Sequence, residues 1–408
     1  MTAHLLTLNA GSSSIKFALF ALPQLPPATA PQSGVLPTAL WAGQADGLGG
    51  GLAAHLRVAG AQGETLANQP LEGAQATHAG ALQALLGWMA QHAGGARIAA
   101  VGHRIVHGGM DFTAPVQIDA AVLAALQALE PLAPLHQPHN VAGIRAAMLA
   151  FPGVAQFACF DTAFHATQSD VNRRFALPRS WHDAGVRRYG FHGLSYQSIV
   201  AQMGRLDPAL ARGRVVVAHL GNGASLCAIH GGRSVATTMS FSPLDGLTMG
   251  TRCGRIDAAV VLYLLQQCGM TAEQITTLLF RESGLLGLSG LSGDMRELEA
   301  SAQPEAAQAI AHFVEQVVQQ LGNMVAALRG VDAIIFTGGM GENAIALRAR
   351  LLAECAWLGV QSDAPANQAG GPRLTVPASP VSAWVLKTNE EAMIARSIER
   401  MLQADAPE

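Results

Sequence analysis

The chain has 408 residues, of which half are hydrophobic and 13% are charged, so it is long enough for two or three domains and unlike a disordered protein. Its 25 basic and 28 acidic residues give a net charge of −3, which excludes the basic surface typical of nucleic-acid binding. The five cysteines are scattered without a C-x-x-C pair, and no apolar run suits a membrane span or a signal peptide. We therefore expect a cytoplasmic protein with no nucleic-acid or membrane partner.

The first predicted elements are two strands joined by a small polar loop, in the segment LLTLNAGSSSIKFALF. Residues 23–73 are rich in Pro, Gly and Ala, and fit either edge strands with long turns or an irregular excursion. Helices are predicted at 75–92, at 119–130 between the N-cap Asp119 and Pro131, and at 139–150. The strand VAQFACF then leads into Asp161.

A second strand-loop-strand unit covers residues 215–229, with the loop HLGNG between its strands. Helices are predicted at 257–268 and at 304–329, followed by the strand VDAIIF, the turn TGGMGEN, a helix, the strand VSAWVLKT and a last helix from Asn389. Two similar hairpins, each followed by helices, predict two related α/β halves facing a cleft. Glycine-rich turns are common, so two unrelated hairpins remain an alternative at this point.

Two loops have the composition of phosphate or nucleotide sites. The segment from Asn9 to Lys16 combines backbone N–H groups, hydroxyls and one of the two lysines of the chain, although a plain polar turn has the same composition. A Walker A ending, G-K-[ST], is absent. The segment from Gly339 to Ala344 satisfies G-x-G-x-x-A with Asp363 downstream, but too little chain follows to complete a dinucleotide-binding domain.

Two arginines and one aspartate are candidates for catalytic chemistry. Arg104 in GHRIVHGG and Arg252 in TMGTRCG are flanked by glycines, where a guanidinium can reach a carboxylate or a phosphoryl group. A solvated ion pair is the alternative for either arginine. Asp161 ends a buried strand, which suits a functional acid or a helix N-cap.

Two histidine pairs, His103 with His107 and His136 with His139, have spacings that metal ligands use. No H-E-x-x-H motif is present, and the first pair lies in a strand-like segment. Hydrogen-bonded histidines are therefore the favoured interpretation.

Nine motifs occur in one order along almost the whole chain: NAGSSSIK, GHRIVHGG, APLHQP, CFDTAFH, RRYGFHG, HLGNGAS, TMGTRCG, FTGGMGEN and TNEE. In these motifs the chain resembles the acetate kinase family of the acetate and sugar kinase/heat-shock chaperone/actin superfamily. The resemblance implies an α/β fold of two duplicated actin-like (ribonuclease H-like) domains with an interdomain active-site cleft. The implied domains are residues 1–161 plus 389–408, closed by the C-terminal helix, and the nucleotide-binding residues 162–388.

The resemblance also implies an activity, reversible phosphoryl transfer from ATP to acetate that gives ADP and acetyl phosphate. Mg²⁺, or Mn²⁺ in its place, is the implied cofactor, and a homodimer is the implied assembly. A propionate or butyrate kinase on the same scaffold is the alternative, and an actin- or chaperone-like ATPase switch is a more distant one.

The site residues that the resemblance implies fall into four groups. The catalytic residues are Asp161, Arg104, His192 and Arg252. The substrate-binding residues are Arg104, Val106, Leu135, Phe191 and Pro243. The metal ligands are Asn9 and Glu390. The ATP-binding residues are Ser12, Ser14, Lys16, His219, Leu220, Gly221, Asn222, Gly223, Asp294, Met295, Arg296, Gly339, Met340, Gly341, Glu342 and Asn343.

A carboxylic acid with a pKa of about 4 to 5 is already ionised at pH 7, so attack on phosphorus needs no proton removal. We therefore expect Asp161 to orient Arg104 or magnesium instead of acting as a general base. The sequence departs from the family pattern at three places: Met295 replaces the usual Phe, Arg255 replaces the usual Asp, and LHQPHN replaces LHNPPN. None of these changes removes a group central to the transfer.

Overall fold

A computed structural model describes residues 3–11, 14–22, 36–48, 53–92 and 97–404. The strands in these residues are β1 Ala3–Ala10, β2 Ile15–Ala21, β3 Trp41–Asp46, β4 Ala54–Gly60, β5 Thr65–Leu71, β6 Arg97–Ile105, β7 Val116–Gln117, β8 Ala155–Phe160, β9 Arg214–Leu220, β10 Ala224–His230, β11 Arg233–Thr237, β12 Ala333–Thr337 and β13 Ser382–Val385.

The α-helices in the same residues are α1 His78–His92, α2 Ala120–Ala128, α3 Gln137–Ala150, α4 Asp170–Arg173, α5 Arg179–Asp183, α6 Gly193–Leu206, α7 Pro208–Arg212, α8 Ala258–Gln266, α9 Ala272–Arg281, α10 Gly284–Ser289, α11 Met295–Ala300, α12 Pro304–Leu328, α13 Gly338–Asn343, α14 Ile345–Glu354, α15 Ala364–Gln368 and α16 Glu390–Ala404. Short 3₁₀ helices lie at Gly73–Ala76, Glu130–Leu132, Ala163–Thr167 and Ala356–Leu358.

Contacts divide the chain into two compact units. Unit 1 comprises Met1–Ala163, Gly193–Ala201 and Asn389–Glu408, and unit 2 comprises Phe164–His192 and Gln202–Thr388. The boundary differs from the predicted one at the first part of α6. Leu194 of that helix packs into the same hydrophobic cluster as Ile394 of α16, which explains its place in unit 1.

The two units repeat one sheet order. Unit 1 has the order β5-β4-β3-β2-β1-β6-β8-β7 and unit 2 has the order β11-β10-β9-β12-β13. In each, three antiparallel strands (β3-β2-β1 and β11-β10-β9) are followed by two strands that pair in parallel (β6-β8 and β12-β13). The repeat confirms the predicted relation between the halves and the duplicated actin-like α/β fold class.

The central strand of unit 1, β1, is covered on both faces, which explains why its residues 5–9 are all buried. Leu5 points into the cluster that contains Ile394 and Ile398 of α16, and Leu6 points into the cluster that contains α1. On the neighbouring β6, a Cβ at Gly102 would lie 2.3 Å from Ile398 Cδ1. Glycine at this position lets α16 lie close to β6, and this brings the start of α16 near the end of the strand.

The core of unit 2 is built around β9 and β12. The four residues 215–218 of β9 and all five residues of β12 are buried. Helix α12 is the longest of the described helices, and it covers this sheet with buried side chains that include Phe313, Val317 and Leu321. It ends at Leu328, with Arg329 in the left-handed conformation and Gly330 after it, close to the predicted end.

Both predicted hairpins are confirmed, with Asn9 opposite Lys16 in the first and Leu220 opposite Ala224 in the second. The described part of residues 23–73 contains strands rather than an irregular excursion, but only β5 lies at the edge of the sheet, since β3 and β4 each have a partner on both sides. One expectation was wrong in detail, since the segment GGMGEN is the short helix α13 instead of a turn. The strand β11 and several helices, among them α6 and α9, were not predicted. Among the described residues no helix has the length and apolar character to cross a membrane.

Candidate active site

Four of the predicted site residues form one hydrogen-bonded cluster in unit 1. Arg104 donates from Nε to both carboxylate oxygens of Asp161, at 3.0 and 3.1 Å, and from Nη2 to Oδ2 at 2.6 Å. Its Nη1 donates to Asn9 Oδ1 at 3.0 Å. Glu390 Oε2 completes the cluster, 3.6 Å from Arg104 Nε and 3.3 Å from Asn9 Nδ2.

Sheet topology explains why these residues meet. Asn9 and Arg104 stand near the carboxyl ends of β1 and β6, and Asp161 directly follows β8. These strands are parallel neighbours, so their carboxyl ends lie at one edge of the sheet, where sites in α/β folds form. Glu390 opens α16, whose first turn is capped by Asn389 through a 2.9 Å bond from the Ala392 amide.

The cluster is strongly charged and shielded from water. Asp161 is 1% exposed, and the side chains of Glu390 and Arg104 are 13% and 21% exposed. Burial alone would lower the pKa of Arg104, but the charges of Asp161 and Glu390 outweigh this effect and raise the pKa above its usual value. Burial, together with the neighbouring Glu390, raises the pKa of Glu391. Arg104 is therefore a permanent cation held by carboxylates.

Asn140 connects two segments of this site and was not predicted as a site residue. Its Nδ2 donates to the Ala10 carbonyl at 2.8 Å, and its Oδ1 accepts from the Val106 amide at 3.0 Å. It is 3% exposed, so both bonds are shielded from water. The motif LHQPHN contained this residue, but only the fold brings Ala10 and Val106 together.

A second cluster in unit 2 contains the predicted residues His192 and Arg252. His192 Nδ1 lies 2.8 Å from Ser225 Oγ, and its ring stacks on His219 with 4.2 Å between ring centroids. A Cβ on Gly223 would lie 3.4 Å from His192 Nε2 and 3.5 Å from Arg252 Nη1. The absent side chain of Gly223 thus leaves a small space bordered by an imidazole and a guanidinium.

Unit 2 also contains a pocket of about 500 Å³, within the range of small-molecule sites. The residues that line it are Gly221, Asn222, Gly293, Asp294, Met295, Arg296, Glu299, Gly339, Met340, Asn343 and Ala344. Eight of these belong to the predicted ATP-binding set. Gly293, Glu299 and Ala344 were missed, although each lies within three residues of a predicted one.

Two glycines allow the loops of this pocket to cross closely. A Cβ on Gly250 would lie 2.2 Å from Asn222 Oδ1, and a Cβ on Gly293 would lie 2.7 Å from the Gly250 carbonyl oxygen. The Gly250 amide also donates to the Asn222 carbonyl at 3.2 Å. The backbone at Gly250 therefore lies between the loop at 221–223 and Gly293, in close contact with both.

Asp294 organises one wall of the pocket. Its carboxylate caps α11 by accepting from the Arg296 amide at 2.9 Å, and it forms a two-point ion pair with the Arg296 guanidinium. The hydrogen bonds and charge of Arg296 lower the pKa of Asp294. Met295 is 2% exposed and lines the pocket at the position where the family usually has Phe.

The remaining predicted ATP-binding residues do not line this pocket. Ser12 is outside the described residues, and the Ser14 carbonyl accepts from the Gly11 amide at 2.8 Å in the turn of the first hairpin. Lys16 stands beside Asn9 in that hairpin. His219, Leu220, Gly223, Gly341 and Glu342 are near the pocket but not among its lining residues. Their roles stay predictions.

Glu342 and Arg348 hold the short pocket helix α13 by hydrogen bonds to its backbone and to the neighbouring Thr388 amide. Glu342 Oε1 accepts from the amides of Gly338 and Thr388, at 3.0 and 3.1 Å. Arg348 is fully buried in α14 and donates from Nη1 to the carbonyls of Gly341 and Glu342, at 3.0 and 2.7 Å. Arg348 was missed because an arginine in a helix pattern ordinarily indicates a solvent-exposed face.

The predicted acid-binding residues are divided between the units. Val106 follows β6 two residues after Arg104, and Leu135 precedes α3, both in unit 1. Phe191 and Pro243 belong to unit 2, where the Pro243 carbonyl accepts from Arg252 Nη1 at 3.0 Å. The pocket that these four residues would form stays a prediction.

The departures from the family pattern leave both clusters in place. The Arg255 side chain is exposed, while its backbone amide bonds the Gly246 carbonyl. Gln137 of LHQPHN is buried and donates to the carbonyls of His107 and Leu126.

The predicted histidine pairs are hydrogen-bonded or stacked. His103 Nε2 lies 2.8 Å from Gln156 Oε1, and His107 Nδ1 accepts from the Gly109 amide at 2.9 Å. His139 stacks on His78. The described part of the chain contains no group of three or more His, Cys, Asp or Glu side chains arranged to hold a metal.

Buried histidines should make the stability of the protein depend on pH. Burial lowers the pKa of His103 to about 4, against an ordinary value of 6.5 in the unfolded chain. Between these values the unfolded state binds a proton that the folded state does not, so the free energy of unfolding decreases as pH falls from about 6.5 to 4.

Glutamine does not titrate, so His103→Gln should remove the proton that the unfolded chain binds at this position and the folded protein does not. We expect the slope of unfolding free energy against pH to decrease by up to about 1.4 kcal/mol per pH unit in this window, measured by urea denaturation at several pH values. An unchanged slope would show that the His103 ring is protonated in the folded protein.

Comparison with known proteins places the chain in a family. The Acetokinase family matches residues 4–396. The acetate kinase of Methylocella silvestris is 50% identical over 397 residues, covering 97% of both chains, and that of Rhodopseudomonas palustris is 49% identical over 406 residues, covering 98% of this chain and 99% of the relative.

Solved structures agree with these matches. A propionate kinase from Francisella tularensis subsp. tularensis has a TM-score of 0.86 and 34% identity, covering 97% of this chain and 98% of its own. Porphyromonas gingivalis acetate kinase has a TM-score of 0.84 and 33% identity, covering 98% and 100%. The fold and the two clusters thus define a kinase made of duplicated actin-like α/β domains. The chain belongs to the acetokinase family.

Proposed function

We propose that this protein is an acetate kinase, which transfers the γ-phosphoryl group of ATP to acetate and catalyses the reverse reaction from acetyl phosphate and ADP. Family membership supports a phosphotransferase, and the relatives at 49–50% identity are acetate kinases. The single observation that carries the proposal is the buried cluster of Arg104, Asp161, Asn9 and Glu390.

Arg104 is proposed to bind the acetate carboxylate. A guanidinium has five N–H groups, and the bonds to Asp161 and Asn9 use Nε–H and one N–H on each terminal nitrogen. Two N–H groups, one on each terminal nitrogen, are left for a planar carboxylate. Asp161 occupies the Nε side of the guanidinium, so it fixes the direction in which the remaining N–H groups point.

This arrangement supports the orienting role expected for Asp161. Both of its carboxylate oxygens accept from Arg104, and it is 1% exposed. In the transfer, a carboxylate oxygen of acetate forms a bond to the γ-phosphorus while the bond from phosphorus to the β,γ-bridging oxygen breaks, and ADP leaves with those electrons. No proton has to move, and positioning supplies the rate.

Arg252 and His192 are proposed to stabilise the phosphoryl group during transfer. Both border the space beside Gly223, where donors from an imidazole and a guanidinium can meet phosphoryl oxygens. The adjacent pocket of about 500 Å³ is proposed to hold the nucleoside part of ATP, with Met295 as an apolar contact for the base.

The residues proposed for magnesium fit the chemistry of that ion. Asn9 and Glu390 provide an amide oxygen and a carboxylate within one cluster, and Mg²⁺ prefers a few protein oxygens together with water and substrate phosphates. When bound, the ion would neutralise charge on the phosphates of ATP. Mn²⁺ accepts similar ligands.

Glu390→Gln should raise the Mg²⁺ concentration needed for half-maximal activity by about 10-fold or more, because a charged ligand becomes neutral. Initial rates over a magnesium titration at saturating substrates measure this. Glu399→Gln on the same helix is the control and should leave the titration unchanged. An unaltered magnesium requirement in Glu390→Gln would remove this residue from the proposed metal site.

The substrate is tested with a panel of acids. Acetate, propionate and butyrate are compared by trapping the acyl phosphate as hydroxamate, and we expect kcat/KM to be highest for acetate and measurable for propionate, since one methylene changes binding by only about 1–3 kcal/mol. If kcat/KM were tenfold higher for propionate or butyrate than for acetate, the longer acid would be the substrate instead of acetate. ATP turnover that no acid stimulates would favour the ATPase-switch alternative.

We also propose that the protein is a cytoplasmic homodimer. Free cysteines are typical of a reducing compartment that supplies ATP. Helix α8 has no buried residue and exposes Leu262, Tyr263 and Leu265 by 46% to 58%, an apolar face that a second copy would cover. Sedimentation velocity would measure the mass, and a monomer would contradict this assembly.

A further inference from the structure

A buried histidine outside the predicted site holds the peptide that precedes His192. His165 lies in the 3₁₀ helix Ala163–Thr167 and is 1% exposed. Its Nε2 is 2.9 Å from the Phe191 carbonyl oxygen, and its Nδ1 is 2.9 Å from Ser234 Oγ on β11. The imidazole therefore connects the 189–192 segment to the sheet of unit 2.

The partners define the proton positions on this ring. A carbonyl oxygen only accepts, so Nε2 carries the hydrogen and donates to Phe191. Nδ1 then accepts from the Ser234 hydroxyl, whose oxygen accepts from Gln168 Nε2 at 3.1 Å. This network needs a neutral imidazole. Burial lowers the pKa of His165 to about 4, so the ring stays neutral at physiological pH.

The segment that His165 holds has an unusual backbone. His192 has φ of +58°, and among the described residues only Arg329 is another non-glycine residue with positive φ. A side chain in this left-handed conformation persists only when its surroundings enforce it. Gly190 lies directly against His165, since a Cβ there would be 2.6 Å from the ring. The imidazole thus supports the peptide immediately before the strained residue.

The side chain of His192 is held on its other side. Ser225 Oγ bonds its Nδ1, and His219 stacks on its ring, so Nε2 lies toward Gly223 and Arg252. The ring can make these contacts only when the His192 backbone has the left-handed conformation that places it between Ser225 and His219. Two constraints therefore meet at His192, one on the ring and one on the preceding carbonyl.

We propose that His165 is a positioning residue for phosphoryl transfer, which holds His192 in its left-handed conformation through the Phe191 carbonyl and so places Nε2 beside Gly223 and Arg252. The inference rests on the proposed function, because it takes His192 as a group that acts on the phosphoryl oxygens. His165 itself contacts no substrate and transfers no proton.

Two substitutions at this position separate its two hydrogen bonds. The amide of glutamine reaches the place of imidazole Nε2, whereas that of asparagine reaches the place of Nδ1. We expect His165→Gln to retain kcat within about 3-fold and His165→Asn to lower kcat by about 10- to 100-fold, with KM for ATP and acetate unchanged in both. Thermal unfolding midpoints measured alongside show whether the two variants are equally folded.

A double-mutant cycle distinguishes positioning from general stability. In the background of His192→Ala, His165→Asn should lower kcat by less than about 2-fold, because the ring that it positions is gone. Ser234→Ala removes the hydroxyl that bonds His165 Nδ1 and also accepts from Gln168 Nε2, so it should lower kcat by about 3- to 10-fold with His192 present and should have no effect without it.

Equal losses with and without His192, or a glutamine variant as inactive as the asparagine variant, would overturn the inference. If His165→Asn does not fold, the Ser234→Ala cycle decides by the same criterion. His182→Asn, a change at another buried histidine of unit 2, should leave kcat unchanged. A wild-type protein that forms no acyl phosphate would contradict the proposed function instead, so the two failures are distinct.

Discussion

Arg104→Ala is expected to lower kcat/KM for acetate by about 10²- to 10⁴-fold. The substitution removes the proposed carboxylate ligand. It also leaves the buried Asp161 without its cation, which lowers the free energy of unfolding by roughly 3–5 kcal/mol. Arg104→Lys should recover little of this activity, because a single ammonium cannot bond Asp161, Asn9 and a substrate carboxylate in one plane. Initial rates of acyl phosphate formation against acetate concentration measure the effect.

Arg97→Ala provides the matched control for this experiment. Arg97 begins the same strand, β6, and its side chain is exposed, so we expect kcat/KM to stay within about 2-fold. If Arg104→Ala retains the acetate dependence of the wild type, the acid is bound by other groups. If it also retains acid-independent ATP turnover, the ATPase-switch alternative gains support.

Arg252→Ala is expected to lower kcat by about 10³- to 10⁵-fold, the range in which an arginine contributes to phosphoryl transfer. Its Nη1 lies beside the space next to Gly223 and bonds the Pro243 carbonyl. A guanidinium there acts mainly on charge that develops during transfer, so we expect the affinity for ATP, measured by calorimetry, to change much less than kcat.

Arg255→Ala is the control for Arg252, since it makes the same change three residues later on an exposed side chain. It should leave kcat within about 2-fold, and it also tests the departure from the family pattern at this position. A variant of Arg252 with normal kcat and raised KM would show that this residue binds substrate equally in the ground state and the transition state, contrary to the proposed role.

Local patterns in the sequence predicted those features that local physics controls. The two hairpins, the strand that ends at Asp161 and the helix capped by Asp119 follow from turn residues, apolar runs and capping side chains. Arg104 and Arg252 were identified as candidates from their glycine neighbours in the sequence. Those neighbours also indicated that one arginine lies near the end of a strand and the other lies in a loop.

Residues 23–73 show where local patterns were insufficient. Strand β3 pairs with β2, and β4 and β5 extend the same sheet, yet their sequence is as rich in glycine and alanine as an irregular loop. The edge strand β5 has a partner on one side only and is mostly exposed, so it needs little apolar alternation. The neighbouring strand, not the segment itself, decided its structure.

From the sequence alone, the resemblance of nine ordered motifs to a known family implied the fold class, and the turn, capping and apolar patterns predicted the local elements, which depend on residues close together in the chain. Only the tertiary structure decided which polar groups act as supports. His165, Asn140 and Arg348 resemble ordinary core or helix residues until a partner arrives from another element, as Ala10 does for Asn140 across 130 positions. Their roles come from buried hydrogen bonds, whose partners only folding selects.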